Sequence, residues 1–271
     1  MSTAKITKNV VLSVILLLLL VGALYPYVWN LSTSLKPANE MMNSSLLPST
    51  VTFEHYADFF RRAGVLPALI NSLGISLISA GLATFLGLLA AYALVRFRLR
   101  GERTILQLIL GAQFIPIAAL ILPVYLVVAW LNLIDNWLGL ILVYLAVTVP
   151  FSTWMLMGFV AKVPVDVEEA ALVDGTSRFG AVMRVTLPLA FPGIFVTMVL
   201  SFIKVWEEYL VGVVLTETPA SRTLPVVIAG LESQTSFQLG TMMAGLVVAG
   251  APPILAFLFL HRYFLRGLSN N

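Results

Sequence analysis

Cysteine is absent from the 271-residue sequence, and charged residues make up only 11% of it. Without cysteine the chain has no disulfide, no thiolate metal ligand and no cysteine nucleophile. The net charge of +3 is small and no basic–aromatic patch accompanies it, so we expect no nucleic-acid partner. Hydrophobic residues make up 59% of the chain, and its mean hydropathy is +0.97. Such a composition predicts an integral membrane protein.

Motifs for catalysis are also missing. The sequence contains no GxxxxGK[ST] phosphate loop, no HExxH and no GxSxG, and its two histidines, His55 and His261, are far apart in the chain. ATP hydrolysis, zinc chemistry and serine hydrolysis therefore lack their usual residues. We predict that the chain is not an enzyme and binds no cofactor or metal of its own.

Six apolar segments are long enough to cross a bilayer, and none shows the alternating pattern of a barrel. Helices satisfy their backbone groups internally, so we predict an all-α protein with six transmembrane helices in a single domain, residues 1–271. Pro116 and Pro123 should kink the third helix, and Pro252 with Pro253 the sixth. The segments are about 10–31, 68–95, 104–130, 137–160, 192–215 and 241–264. The first lacks a cleavage site for a secretion signal, so we expect it to be retained.

Lysine and arginine are distributed unequally between the two sides. One side receives eleven of them and the other four, in the flanks of the six segments. By the positive-inside rule both termini are cytoplasmic, and the first external loop is about 32–67. We expect the aromatic residues of this loop to lie at the level of the lipid headgroups rather than to contact a ligand. The eleven are Lys5, Lys8, Arg96, Arg98, Arg100, Arg103, Lys162, Arg178, Arg184, Arg262 and Arg266.

One polar stretch, about 162–192, separates the fourth and fifth segments: KVPVDVEEAALVDGTSRFGAVMRVTLPLAFP. Pro164 suits the first turn of a helix, and acidic residues follow it at the positive end of the helix dipole. Gly175 can adopt the left-handed conformation that ends a helix, and Ser177 can cap the next one, which Pro188 limits. The stretch predicts a helix–turn–helix elbow on the cytoplasmic side. For a generic charged loop, a solvated connection is the simpler interpretation.

Three ionisable residues, Lys204, Glu207 and Glu208, lie within the fifth segment. In a continuous helix Lys204 would reach Glu207 at i,i+3 and Glu208 at i,i+4. The residues either form a structural ion pair or line a hydrophilic pathway, because charge in a membrane is expensive and usually faces the bundle interior. Trp206 and Tyr209 beside them could stack on a sugar ring or anchor the helix. Asn71, Ser72 and Gln113 are weaker pathway candidates that often bridge helices instead.

The spacing within the elbow resembles the EAA signature of ABC importer permeases, with Val185 where isoleucine is usual. Other stretches resemble the second membrane subunit of maltose-type carbohydrate importers: INSLGIS, RFRLRGER, ILPVYLVVAWLNLIDN, PFSTWMLMGF, VWEEYLVGVVLT, TLPV and FLHRYFLRGLS. The resemblance covers essentially the whole chain. The family pattern departs at Lys204 and in WEEY, where an extra carboxylate could favour an amino sugar or a cationic solute. The elbow residues that the resemblance marks as ATPase-coupling are Glu168, Glu169, Ala170, Ala171, Asp174, Gly175, Leu187 and Pro188.

The resemblance implies a permease subunit of an ATP-driven, binding-protein-dependent importer for a sugar or oligosaccharide in a prokaryotic plasma membrane. Its partners would be a second homologous permease, two ATPase subunits that hold ATP and magnesium, and an extracytoplasmic sugar-binding protein. The candidate translocation pathway is Lys204, Trp206, Glu207, Glu208, Tyr209 and Asn71. The alternative is an ion- or proton-coupled secondary transporter that uses Lys204, Glu207 and Glu208 as a relay.

Overall fold

The computed structural model describes residues 3–97, 100–231 and 236–268. Over these residues the chain is helical and has no strand, as the sequence predicts. Arg98 and the last three residues of the tail, which were assigned to the cytoplasmic side, lie outside the described residues. The helices are α1 Thr3–Ser34, α2 Glu54–Arg61, α3 Val65–Arg96, α4 Glu102–Ala112, α5 Ile117–Trp130, α6 Trp137–Val160, α7 Val165–Val173, α8 Arg178–Ala181, α9 Leu187–Leu189, α10 Phe191–Trp206, α11 Leu210–Leu215, α12 Leu224–Ala229 and α13 Ser236–Leu268.

Within the described ranges, four helical stretches are long and apolar enough to cross a membrane unaided: Asn9–Ser34, Val65–Arg96, Trp137–Val160 and Leu239–Phe259. Two bent pairs raise the number to six if each pair is one span. The first pair, Thr104–Ala112 with Ile117–Trp130, bends by 93°, and the second, Arg178–Leu189 with Phe191–Trp206, by 83°. The prediction of an all-α polytopic membrane protein is therefore confirmed.

The third predicted helix is broken rather than kinked. Pro116 stands at the N-cap of α5 with ψ 127°, and α4 has already ended at Ala112. Proline lacks the N–H that would continue the helix, and it disfavours helical geometry at the residue before it. Pro123 lies inside α5, and α13 continues as one helix through Pro252 and Pro253.

The fifth predicted helix does not run to Leu215 in one piece. It ends at Trp206, and α11 begins at Leu210. The reason lies in Glu208, whose carboxylate accepts hydrogen bonds from the backbone N–H groups of Val211 at 2.9 Å and Gly212 at 3.3 Å. A carboxylate at the start of a helix satisfies donors that have no partner within it, so the new N-terminus is stabilised.

The described chain divides into two units by contact. The first comprises Met1–Val65 and Ile228–Ala251, and the second Leu66–Val227 and Pro252–Asn271. The prediction of a single domain stays a prediction.

In the first unit, the segment after α1 is held by a buried lysine. Lys36 Nζ donates to the carbonyl oxygens of Asn43 at 3.1 Å and Ser45 at 2.6 Å, and it lies 4.8 Å from the centre of the Trp29 ring. The first loop contains the short helix α2. Its Phe59 is fully buried inside the protein, whereas Phe53 is exposed. That the aromatic residues of this loop lie at the headgroup level stays a prediction.

In the second unit, α6 is packed between α3 and α10 through small residues. A Cβ on Gly87 would lie 2.6 Å from Ser152 Cβ, and one on Gly193 would clash with the Phe159 ring. The hydroxyls of Ser152 and Ser201 are 3.1 Å apart and hydrogen-bonded. Close backbone approach and hydroxyl pairs are typical of helix association in membranes, where the hydrophobic effect between helices is weak.

Candidate functional site

The predicted elbow is a helix–turn–helix, and its turn depends on Gly175. This glycine has φ +85°, and its N–H donates to Leu172 O at 3.1 Å while Thr176 N–H donates to Ala171 O at 3.0 Å. This pair of hydrogen bonds is the Schellman arrangement, which satisfies the last carbonyls of α7. Ser177 Oγ then accepts from Gly180 N–H at 3.1 Å and caps α8. Both positions had been predicted from the sequence.

After α8 the elbow contains a π-helical turn, Val182–Thr186, that the sequence did not indicate. Pro188 lies in the first turn of α9, next to partly buried Leu187. Proline cannot donate to the preceding carbonyls, and wider turns of this kind occur where the helical ladder is interrupted. Pro164 stands at the N-cap of α7, one position before the predicted one.

The two adjacent glutamates of the elbow have different surroundings. Glu168 is buried and its carboxylate is paired with Arg96 at the end of α3: Nε to Oε2 is 3.0 Å, and Nη2 to Oε1 is 3.0 Å. Thr186 Oγ1 donates to Oε1 at 2.9 Å. Glu169 and Ala170 are exposed on the same helix. Glu168 therefore holds the elbow in place, while its neighbour faces outward.

Arg96 also joins the elbow to the end of α6. Its Nη2 donates to Val163 O at 2.7 Å and to Val160 O at 3.1 Å. One guanidinium thus binds the carboxylate of α7 by two parallel bonds and two carbonyls near the C-terminus of α6, which is an electrostatically favourable position for a cation. The chain supplies a rigid connection from the elbow to α3 and α6.

Exposed apolar side chains accompany Glu169 on the elbow. Val173 is 86% exposed and Phe179 is 58% exposed. Asp174 and Gly175 between them are exposed too. Exposed apolar side chains beside an exposed carboxylate are typical of a surface that a partner covers.

Of the two interpretations of the ionisable residues in the fifth segment, the structural ion pair is not observed among the described residues. Because the helix ends at Trp206, Glu208 turns away and accepts from Tyr144 OH at 2.9 Å in addition to the α11 amides. Lys204 Nζ instead donates to Gln113 Oε1 at 3.2 Å and lies 5.2 Å from the centre of the Phe151 ring. Of the two acidic residues nearest to Lys204 in sequence, Glu208 is therefore bonded elsewhere, and Glu207 is exposed.

Lys204 and Gln113 line a cavity of about 690 Å³. Its other walls come from α4, α5 and α6 and are almost entirely apolar, with Pro116, Leu120 and Ala146 among them. Gln113 Nε2 donates to Val147 O at 3.1 Å, which fixes the amide so that its oxygen is presented to the lysine. The bend at 113–116 lies beside this cavity, and Gln113 was only a weak pathway candidate from the sequence.

The remaining pathway candidates lie elsewhere. Trp206 is buried and stacked on Phe202 with 5.7 Å between ring centres, while Glu207 and Tyr209 are exposed. Asn71 Nδ2 donates to Ala220 O at 2.7 Å and to Arg222 O at 2.9 Å. Asn71 thus fastens the connection after α11, and its role in a pathway stays a prediction.

Sequence reasoning missed Asp135, which fastens the same connection. Its carboxylate accepts from Glu217 N at 2.7 Å, from Thr218 N at 2.9 Å and Thr218 Oγ1 at 2.7 Å, and from Ser221 Oγ. Burial raises the pKa of this carboxyl, but the hydrogen bonds from Ser221 and Thr218 outweigh that effect and hold the pKa well below its usual value. A lone Asp before an apolar segment gives no sequence signal of this kind.

Comparison with known proteins identifies the family. Residues 83–270 match the family described as the binding-protein-dependent transport system inner membrane component. The chain is 37% identical over 256 residues to the trehalose transport system permease protein SugB of Mycobacterium tuberculosis, with 93% of each chain covered. It is 34% identical to the sulfoquinovosyl glycerol transport system permease protein SmoH of Agrobacterium fabrum, with 93% of this chain and 89% of the relative covered.

The same fold occurs in a bacterial ABC transporter that imports the acidic polysaccharide alginate. A chain of its crystal structure superposes with a TM-score of 0.84 at 22% identity, with 97% of this chain and 99% of that chain covered. The two chains therefore share their fold over nearly their whole lengths. The chain belongs to the family of inner membrane components of binding-protein-dependent transport systems.

Proposed function

We propose that the chain is the permease subunit of an ATP-driven ABC importer for a sugar or oligosaccharide. The names of the relatives described above refer to transport of trehalose, which is a disaccharide, and of sulfoquinovosyl glycerol, which is a sugar derivative. A second homologous permease would complete the translocation pathway, and an extracytoplasmic binding protein would deliver the solute. Family membership does not favour the alternative, an ion-coupled carrier, and Lys204 and Glu208 bind separate partners rather than each other.

The observation that carries the coupling role is the elbow itself. Its α7 presents Glu169 and Ala170 to the outside, while buried Glu168 ties the same helix to Arg96. A small side chain such as alanine permits close approach of another protein, and a fixed turn at Gly175 sets the angle at which that surface is presented. We assign Glu169, Ala170, Ala171, Asp174, Gly175, Leu187 and Pro188 to contact with an ATPase subunit, and Glu168 to positioning them.

Energy would enter the membrane domain as movement of this elbow. ATP and magnesium would be bound by the two ATPase subunits, and their closure would displace the elbow toward that of the second permease. Because Arg96 joins the elbow to α3 and α6, a displacement of the elbow would move both helices as a body. Such rigid-body movement can switch the side to which a cavity opens. In this arrangement the elbow and both chain termini are cytoplasmic, as the lysine and arginine distribution predicts.

The coupling role can be tested by two matched glycine substitutions. A Cβ at Gly175 or at Gly158 would meet no atom within 4 Å, so the two sites differ mainly in backbone conformation. At Gly175, with φ +85°, alanine is strained by about 1–2 kcal/mol, whereas in the helical position of Gly158 it is tolerated. We expect Gly175→Ala to lower solute-stimulated ATP hydrolysis and uptake by the purified importer, and Gly158→Ala to leave both unchanged.

Charge reversal supplies an independent test on the same helix. Glu169→Lys should release the ATPase from the complex during purification in mild detergent, while Asp166→Lys, which is also exposed but lies in the first turn of α7, should not. Co-purification of an ATPase and a second permease with the unaltered chain is the reference. If the chain purified alone, or if both charge reversals behaved alike, the coupling assignment would be wrong.

A further inference from the structure

The 690 Å³ cavity contains a cation whose expected counterion is engaged elsewhere. Lys204 donates to the neutral oxygen of Gln113 at 3.2 Å. The carboxylate of Glu208, one turn later in sequence, accepts hydrogen bonds from Tyr144 OH and from backbone N–H groups of α11. Over the part of the chain that the structure describes, no carboxylate forms an ion pair with Lys204. The cavity therefore has a positive potential that its own residues do not offset.

The apolar walls increase the effect of that charge. Residues such as Leu120, Val124 and Val143 leave few polar groups to compete for an ion. In surroundings of low dielectric constant the field of an ammonium group extends further than in water. Entering an apolar cavity removes water from the solute, which costs free energy. A cation in the cavity offsets this cost for an anionic solute through their attraction, but it does not do so for a neutral one. Such a cavity therefore discriminates strongly between the two.

The size of the cavity is that of a small solute. Cavities of about 300–1,000 Å³ hold ligands from the size of a monosaccharide upward. Aliphatic walls suit the C–H faces of a sugar ring, and Gln113 can hydrogen-bond a hydroxyl. Phe151, with its ring centre 5.2 Å from Lys204 Nζ, holds the ammonium by a cation–π contact.

We propose that this cavity binds an acidic sugar, with the carboxylate or sulfonate of the solute at Lys204 Nζ and Gln113 orienting the ammonium group. The inference rests on the proposed function, since it names the chemical class of the solute that the importer carries. It reverses the sequence-based suggestion of an amino sugar, which assumed that a carboxylate of the WEEY stretch faces the pathway. Lys204 is on this account the residue that determines charge specificity in this subunit.

The absence of native cysteine permits a direct measurement of the charge in the cavity. Ala146, a small cavity-lining residue on α6, is replaced by cysteine in the complete, nucleotide-free importer. The rates of modification by the anionic sulfonatoethyl and the cationic trimethylammonioethyl methanethiosulfonate are then compared, with the mass of this chain as the readout. Ala220→Cys, on the exposed connection after α11, is the matched control.

We expect the ratio of anionic to cationic rates at Ala146→Cys to fall by about tenfold or more when Lys204 is changed to Gln, the scale by which charge in a cleft alters encounter rates. Lys204→Arg should retain the ratio, and the ratio at Ala220→Cys should not respond to either change. Glucuronate should slow the modification of Ala146→Cys more than an equal concentration of glucose does. Lys204→Gln should abolish that difference.

Three results would overturn the proposal. Equal protection by glucose and glucuronate would show that charge is not recognised. A cavity that becomes selective for the cationic reagent in Lys204→Gln would show that a carboxylate of the partner permease neutralises Lys204. No modification of Ala146→Cys by either reagent would show that water does not reach the cavity. Because the measurement uses neither uptake nor ATP hydrolysis, it can fail while the coupling role of the elbow is upheld.

Discussion

Glu168 and Glu169 are adjacent carboxylates whose replacement by alanine should have opposite consequences. Glu168 is buried at 3% exposure and receives three hydrogen bonds, two from Arg96 and one from Thr186. Removal of one partner of a buried ion pair costs about 3–5 kcal/mol, because the other charge stays buried without compensation. Glu169 is exposed, and surface substitutions change stability by about 0.5 kcal/mol or less.

In Glu168→Ala, Arg96 keeps two of its hydrogen bonds, because Val160 O and Val163 O still accept from its Nη2. We therefore expect a loss of free energy of unfolding near the lower end of that range, about 3 kcal/mol. The measurement is unfolding of the purified chain in detergent, followed by tryptophan fluorescence. The double substitution Arg96→Gln with Glu168→Gln should be less destabilising than the sum of the two single ones, because it leaves no unpaired charge.

The same variants separate positioning from contact in the assembled importer. In Glu168→Ala the elbow is present but no longer fixed to α3, so ATP hydrolysis should continue while uptake falls. In Glu169→Ala the chain should be as stable as the unaltered one, but binding of the ATPase should weaken. Equal losses of stability in the two variants, or additive effects of the Arg96 and Glu168 substitutions, would refute the assignment.

Two further substitutions test the packing of the second unit and the connection after α11. Gly193→Ala places a methyl group against the Phe159 ring and should lower the free energy of unfolding by about 1–3 kcal/mol in the same assay. Phe159→Leu should restore part of that loss. The control is Gly111→Ala, because a Cβ at Gly111 would meet no atom within 4 Å. The pKa of Asp135 is lower in the folded chain than in the unfolded one, so the ionised carboxylate stabilises the fold above the usual pKa of about 3.9. This stabilisation is lost as the pH falls below that value. The difference in free energy of unfolding between Asp135→Asn and the unaltered chain should therefore shrink between pH 7 and pH 3.

Much of the elbow was predictable because its signals are local. A glycine that must adopt a positive φ, a serine before a short helix and a proline that limits it are each read from a few neighbouring residues. Gly175 and Ser177 were predicted and found. The pairing of Arg96 with Glu168 was not, since 72 positions separate the two residues and nothing in either neighbourhood indicates the other.

The polar residues of the fifth span show where local reasoning fails. The pairing of Lys204 with Glu207 or Glu208 was inferred from helical spacing, which holds only if the helix continues. Glu208 ends that continuity by capping α11 and by accepting from Tyr144 on another helix. Whether a carboxylate pairs along its own helix or across to a neighbour depends on packing, and the sequence of one segment does not contain that information.

By itself the sequence determined that the chain is a helical membrane protein and where its elbow turns, because hydropathy and backbone preference act over short distances. The tertiary structure alone decided which charges meet. It placed Glu168 against Arg96, left Glu169 exposed, and brought Lys204 to Gln113 in an apolar cavity. The physical reason is that a charge in or near the membrane takes the nearest partner in space, and distance in space is set by the folded bundle.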